Sequence, residues 1–293
     1  MAEQLKKALA PAVLGLTSAI SRRMRDNARV KDGLWYFSQR YAAYFGIERS
    51  VPISNGMRMR VSSAPRVEQE LFLFGEWEPL FTRYLNDFDK NDGIFLDIGA
   101  NIGYFSLLAS HKFQDVHAIE ASPSTFARLR ESVAANNLTN VHIHNVAVGE
   151  VEGHVDFFQD PDHSGAASVI AGSNRVFEAR VPIAPLEKIL GDIDWHRVRF
   201  AKIDVEGFEA PVLKSLFERR DDLHEDVEIF CEFDPKREDV WPAIQGFLDN
   251  NFSAVILQGT YDRGDYLDRN KRSEFNPITT MPHEFCDILL RRA

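Results

Sequence analysis

The sequence predicts an α/β fold: a mostly parallel, Rossmann-like sheet with an antiparallel last strand, preceded by an N-terminal helical and hairpin extension. Three observations carry that prediction. The apolar run Ile94-Phe95-Leu96 breaks at Asp97 and hands over, through Gly99 and Gly103, to residues with helical apolar spacing, as a buried parallel strand feeding a tight turn does. The pattern recurs from Arg199 to Glu209, with Asp204 at the strand's end and Gly207 in the turn. Between and after these stretches, strand-length apolar runs alternate with helical ones, as in βαβ units.

Composition bounds the rest. At 293 residues and 44% apolar, the chain holds one large domain with an extension, divided here into residues 1–66 and 67–293. A net charge of −10 argues against a broad nucleic-acid-binding face. Cys231 and Cys286 are too few for a disulfide scaffold or a zinc cage, and both lie in apolar runs. Buried, reduced thiols in a cytoplasmic chain are expected. No apolar run approaches the roughly 20 residues of a membrane span.

Taken in order, residues 4–31 carry Lys6, Lys7, Arg22, Arg23, Arg25, Arg29 and Lys31 around an apolar stretch broken by Pro11 and Gly15. A docking helix or frayed extension is the favoured reading; a surface-lying amphipathic helix with weak membrane attraction is the alternative. Trp35 to Phe45 is dense in aromatics and should pack on the domain. Val51–Ile53 and Met57–Val61 flank Asn55-Gly56, a hairpin signal. Val67 to Phe74 leads to Gly75-Glu76-Trp77-Glu78-Pro79, after which helical spacing resumes through Leu80, Phe81, Tyr84 and Leu85. Glu78 starts that helix, and on sequence physics alone it reads as a surface glutamate favoured by the helix dipole.

The first strand and its turn set the chemistry. Gly99 permits positive φ and close backbone approach, and Gly103 lets the helix pack near the strand. The amides at the helix start, beside Asn101, are expected to donate to a carboxylate, while Asp97 accepts from an ammonium. A zwitterionic amino-acid moiety suits such a site. Val116–Glu120 reads as the second strand, ending in an acid 21 positions after Gly99, where it reaches a ribose diol. Both dinucleotide and S-adenosylmethionine folds share this layout. The dinucleotide fingerprint, however, wants glycine where Asp97 stands; a carboxylate there repels a pyrophosphate and attracts an ammonium or sulfonium. The balance favours S-adenosyl-L-methionine.

Ser122-Pro123 starts a helix that runs to Asn136-Asn137. Val141–Val146 is the third strand, continuing into Ala147-Val148-Gly149, with adenine expected near Ala121, Asn145 and Ala147. His142 and His144 alternate with apolar residues and are assigned to the strand's other face, not to a metal. Val155–Phe158 and Ala179–Ile183 are further strands flanking a small-residue loop, His163–Ser168. His163 is a candidate acid/base there, against a solvated loop histidine. Asp204, Glu206 and Glu209 converge at a strand's carboxyl end, where open α/β sheets bind ligands. Val227–Phe233 is strand five, Val240–Leu248 a helix, Ala254–Leu257 strand six, and Phe285–Arg291 the antiparallel seventh, bringing Cys231 and Cys286 to neighbouring strands. Residues 258–281 read as a loop.

Phe95-Leu96-Asp97-Ile98-Gly99-Ala100-Asn101-Ile102-Gly103, the upstream Gly75-Glu76-Trp77-Glu78-Pro79, Asn145-Val146-Ala147-Val148-Gly149 and Lys202-Ile203-Asp204-Val205-Glu206-Gly207-Phe208-Glu209 together resemble the FkbM family of methyltransferases over residues 68–235. The resemblance implies a class I methyltransferase fold and S-adenosylmethionine-dependent methyl transfer, typically to a hydroxyl oxygen of a sugar, glycan or secondary metabolite. It puts Asp97, Gly99 and Gly103 at the methionine end, Glu120 at the ribose and Asp204 at the reaction side, and it raises Glu78 to a site residue. The acceptor, a small molecule or glycan, is not carried over.

An alcohol acceptor must lose a proton, and Asp204 is the leading candidate to orient or deprotonate it, with Glu206 beside it. Glu206 and Glu209 have a second reading as helix N-terminal acids, the better one for Glu209. A divalent metal on Asp204 and a neighbouring acid is permitted but not required. Two other classes stay open: a nicotinamide-dependent oxidoreductase, which Asp97 opposes, and a cofactor-binding domain without catalysis.

Overall fold

The computed structural model describes residues 15–16, 47–63, 66–90, 92–160, 163–168, 176–257, 265–266, 268 and 271–293. The strands are β1 (Glu48–Pro52), β2 (Arg58–Ser62), β3 (Ile94–Ile98), β4 (Asp115–Ile119), β5 (Val141–His144), β6 (Ala147–Val148), β7 (Gly153–Asp160), β8 (His163–Ser168), β9 (Val176–Ala184), β10 (Val198–Ile203), β11 (Glu228–Phe233), β12 (Phe252–Leu257), β13 (Phe275–Ile278) and β14 (Cys286–Arg292). The helices used below are α1 (Arg66–Phe74), α2 (Pro79–Asp87), α3 (Tyr104–Ala109), α4 (Pro123–Ala135), α5 (Leu186–Leu190), α6 (Glu209–Glu218) and α7 (Val240–Leu248). Most of the basic stretch 4–31, all of 35–45 and most of 258–270 lie outside the described residues.

The main sheet has eight strands in the order β13-β12-β14-β11-β10-β3-β4-β5. From β5 to β11 all neighbours are parallel; β14 then runs antiparallel between β11 and β12. This is the class I methyltransferase sheet, with the antiparallel strand inserted beside strand five as expected. Alternation along each strand sends one set of side chains to each face. Ile94, Leu96, Ile98, Ala201, Ile203, Ile229 and Cys231 face α5, α6 and α7. Phe95, Phe200, Phe230 and Leu289 face the other side, where α1 to α4 pack. Phe81 of α2 stacks on Phe230 with centroids 4.0 Å apart, and Phe95 lies parallel to Phe200 at 5.3 Å. These aromatic contacts fix where α2 begins relative to the sheet. Both cysteines are free, Cys231 buried and Cys286 half-buried on the adjacent strand.

Three expectations need correction. The third strand stops at His144, and Ala147–Val148 leaves the main sheet to pair with β9 in a second, four-stranded sheet ordered β6-β9-β7-β8. His163–Ser168 is not a loop but β8, an edge strand of that sheet. Its Gly, Ala and Ser residues give no alternating hydrophobic signal, so the pairing is set by its neighbour β7 rather than by its own sequence. Residues 275–278, placed in a loop, form β13 on the far edge of the main sheet. The hairpin around Asn55-Gly56 is present as β1 and β2.

Two glycines allow a graded test of the turn. Gly56 has φ +86° with nothing within 4 Å of an added Cβ, so Gly56→Ala should cost about 1–2 kcal/mol from handedness alone. At Gly99, with φ +85°, an added Cβ would lie 1.7 Å from the Asp204 backbone oxygen. Gly99→Ala should therefore cost at least twice as much in urea unfolding. Equal losses would mean that the ends of β3 and β10 separate freely.

Candidate active site

The site grows out of the aromatic face of the sheet. Two residues beyond Phe95, Phe200 and Phe230, and two before Leu289 on the antiparallel strand, the same face carries Asp97, Lys202, Glu232 and Asp287. An apolar layer thus gives way to an ionisable row at the carboxyl ends of the parallel strands, where α/β sheets bind ligands. Glu78 joins the row from above, one helical turn before Phe81 at the head of α2.

Lys202 is the centre of this row. It is 2% exposed, directly opposite Asp97 in the ladder, and its Nζ donates to Asp204 Oδ2 at 2.8 Å. Burial alone would lower its pKa, but Asp204, Glu78 and Asp97 outweigh that and hold the ammonium above its ordinary range. The carboxylates are unequally served. Asp97 accepts from Ser106 Oγ at 2.5 Å, and burial still raises its pKa. Burial pushes Glu78 up to about 8 against the pull of Lys202, helped by Asp287 and Asp204.

The turn after β3 is closed on itself. Gly99 and Ala100 amides donate to Ile119 O, Asn101 N to Glu120 Oε2, Ile102 N to Asn101 Oδ1 and Gly103 N to Ala100 O. The expectation that amides of this turn stand free for a ligand carboxylate is therefore overturned for residues 99–103. Glu120 is the partner of the Asn101 amide alone, and its other oxygen accepts from Ser122 N at 2.8 Å. The same closure leaves this turn no amide cradle for a pyrophosphate. Burial raises the Glu120 carboxyl to about 7 against those two amide bonds.

A cavity of about 420 Å³ opens between these elements, within the size range of small-molecule sites. Of the residues expected at the cofactor, Glu78, Gly99, Asn101, Glu120, Ala121 and Ala147 line it, as do the candidate catalytic residues Asp204 and Glu206. Asp97, Gly103 and Asn145 lie behind its wall. Asp97 sits beside Lys202 beneath the floor; Gly103 packs where a Cβ would meet Leu129 Cδ1 at 2.5 Å; Asn145 Nδ2 ties the Glu120 and Ala121 carbonyls. Glu209 starts α6 and accepts from Gly207 N, the helix-terminal reading. His163 begins β8, and its side chain lies outside the described residues. Three of the five described non-glycine residues with positive φ, Glu78, Asn101 and Glu206, line the cavity. Such backbone strain clusters at functional sites.

Two site residues escaped the sequence reading. Lys202 enters the sequence pattern only as part of a motif, although a lysine inside an otherwise apolar strand, two residues before an acid, is itself a signal. Asp287 offered only the weaker cue of a carboxylate entering a buried strand. Glu78, which sequence physics alone left on the surface, is 3% exposed. His117, His142 and His144 stack on β4 and β5, with His117 Nδ1 3.1 Å from His144 Nε2. Among the described residues no three His, Cys, Asp or Glu side chains are grouped to hold a metal.

The family profile described as Methyltransferase FkbM domain matches residues 97–256, more than half of the chain. A curated relative, "Methyltransferase 1" of Beauveria bassiana (strain ARSEF 2860), is 25% identical over 160 residues, 47% of this chain. That match takes in 64% of the relative's own length. Among solved structures, M. jannaschii TYW2 in complex with AdoMet is similar at 12% identity and TM-score 0.44, over 84% of each chain. Methyltransferase FkbM from Methylobacillus flagellatus KT is similar at 14% identity and TM-score 0.41, over 76% of this chain and 52% of that one.

Removing the central ammonium should expose the electrostatic character of the row. Lys202→Met leaves its carboxylates uncompensated and should destabilise the fold by about 3–5 kcal/mol at pH 8. Carboxyls whose pKa is raised on folding bind more protons folded than unfolded, so their penalty grows as pH rises and fades as it falls. With Glu78 raised to about 8, the loss should shrink markedly by pH 5 in denaturant unfolding. A loss that does not change with pH would assign Lys202 to packing.

Proposed function

The chain belongs to the FkbM methyltransferase family, and on that premise we propose that it methylates a hydroxyl oxygen of a sugar, glycan or secondary metabolite with S-adenosyl-L-methionine. The observation that carries the reading is the arrangement around Gly99. Strand order β10-β3-β4 sets Asp204 and Glu120 on either side of that glycine, both lining one cavity. When bound, the cofactor supplies an electrophilic methyl group on a sulfonium.

The residues present fit such a group. Glu120, held rigid by the Asn101 and Ser122 amides, keeps lone pairs for a ribose diol. The acid-rich row around Lys202 favours a cationic ligand over a pyrophosphate. Asp204, with its Oδ2 held by Lys202, orients the acceptor hydroxyl and takes its proton. Asp204 Oδ2 accepts from the Lys202 ammonium, and among the described residues no three His, Cys, Asp or Glu side chains are grouped to hold a metal.

The test is incubation of the protein with S-adenosyl-L-methionine and glycan or metabolite extracts, read by mass spectrometry as a product heavier by one CH₂. Asp204→Asn should lower its formation by roughly 10²-fold or more while changing cofactor affinity much less. Parallel loss of affinity and turnover would move Asp204 to the methionine end. Unchanged turnover in a folded variant would remove it from the site.

A further inference from the structure

A second cavity, of about 250 Å³, opens beside the first. Glu206, Glu232 and Phe285 line both, so the two spaces meet along those side chains. Its other walls include Glu209 at the head of α6 and Asp234 and Arg237 just beyond β11. In the strand order β14-β11-β10-β3-β4, these residues place it on the β11 and β14 side of Asp204, whereas Glu120 follows β4 on the other side. By itself it is smaller than a typical small-molecule site, as suits a subsite that opens onto a larger one.

We propose that this second cavity is the acceptor subsite and that it takes a hydroxyl-rich, pyranose-like ring laid against Phe285, one of whose hydroxyls reaches Asp204. The inference rests on the methyl-transfer reading above. Phe285 directly precedes β14, is 49% exposed, and is the one aromatic side chain that lines both cavities. An aromatic face is apolar and carries negative charge density, so it complements the C–H face of a sugar ring. Phe285 also lies beyond residues 97–256, the part of the chain that the family profile matches, so this platform is a feature of the chain's own C-terminal part.

The polar walls supply recognition of the hydroxyls. Glu209 accepts from Gly207 N at 2.8 Å through Oε1, and Asp234 Oδ1 accepts from Lys236 N at 3.0 Å. An ionised carboxylate has about four lone-pair positions, so these groups serve their protein partners and still accept from ligand hydroxyls. Arg237 is held from its other side, its Nε and Nη2 donating to Asp239 at 3.4 and 3.3 Å. That fixes the fork in place, and its further N–H donors suit a sugar oxygen. Acceptors, a donor fork and an aromatic platform around one small space are what a ring with an apolar face and a polar rim requires. A ring of the same shape without its hydroxyls would leave those polar groups unserved and lose affinity accordingly.

Saturation-transfer NMR on the full chain loaded with S-adenosylhomocysteine tests this directly. The probes are the methyl glycosides of glucose, galactose, mannose and fucose, with tetrahydropyran-2-methanol as the ring that lacks secondary hydroxyls. At least one glycoside should bind saturably, and the bare ring should bind roughly tenfold more weakly or worse. Phe285→Ala should weaken the glycoside by roughly tenfold and leave the affinity for S-adenosylhomocysteine within about twofold, while Phe285→Trp should retain the glycoside. Failure of every glycoside to bind the loaded protein overturns the inference, as does equal binding of the bare ring; neither result depends on a variant folding. An unchanged glycoside affinity in Phe285→Ala overturns it as well. If S-adenosylhomocysteine itself does not bind, the methyl-transfer reading falls and the inference falls with it.

Discussion

A single buried ammonium makes this site possible. Carboxylates at the ends of adjacent strands would repel one another in a low-dielectric interior, and none would stay ionised there unaided. Lys202, opposite Asp97 in the ladder and bonded to Asp204, supplies the opposing charge. Its own stability in that position depends on the acids in turn, so the row is a mutual arrangement and not a lysine placed among bystanders. The aromatic layer of Phe95, Phe200, Phe230 and Phe81 beneath it keeps the row dry from below. Sequence alternation explains both layers at once, since residues two apart on a strand share a face.

The second constraint is steric. The Asp204 backbone oxygen occupies the space a side chain at residue 99 would take, so the ends of β3 and β10 approach only because Gly99 is there. That approach brings the Asp204 carboxylate to the same cavity as Glu120. The turn then satisfies its own amides through Ile119 O, Ala100 O, Asn101 and Glu120, which leaves no amide cradle for a phosphate there. Glu120 therefore has two jobs, holding the turn and facing the cavity.

Much of this was legible from the chain. The runs at 94–106 and 199–209 have strong apolar cores, glycines at the required turn positions and acids at the strand ends, so fold, sheet direction and Asp204 could all be read. The antiparallel β14 followed from its apolar run after a polar stretch. Three things were not legible, each for a physical reason. β8 is built from small residues that carry no periodic signal, and β6 differs from a continuation of β5 only in which strand it pairs with, a tertiary choice. Glu78 reads as a helix-terminal surface acid because nothing local reveals that Phe81 docks α2 against the sheet. The turn's amides are not free because their partners include Ile119 O on the neighbouring strand and the Glu120 carboxylate, 19 residues from Asn101 in sequence.

The proposed occupant of the cavity flanked by Glu120 and Asp204 is a sulfonium nucleoside and not a dinucleotide. Calorimetric titration of the purified chain with S-adenosylhomocysteine and with NAD, repeated on Glu120→Ala, tests it most directly. The account predicts saturable binding of S-adenosylhomocysteine, no detectable binding of NAD, and a loss of about 1.5–3 kcal/mol in the variant from the missing charge-assisted bond. Tight binding of NAD with none of the homocysteine nucleoside would contradict it.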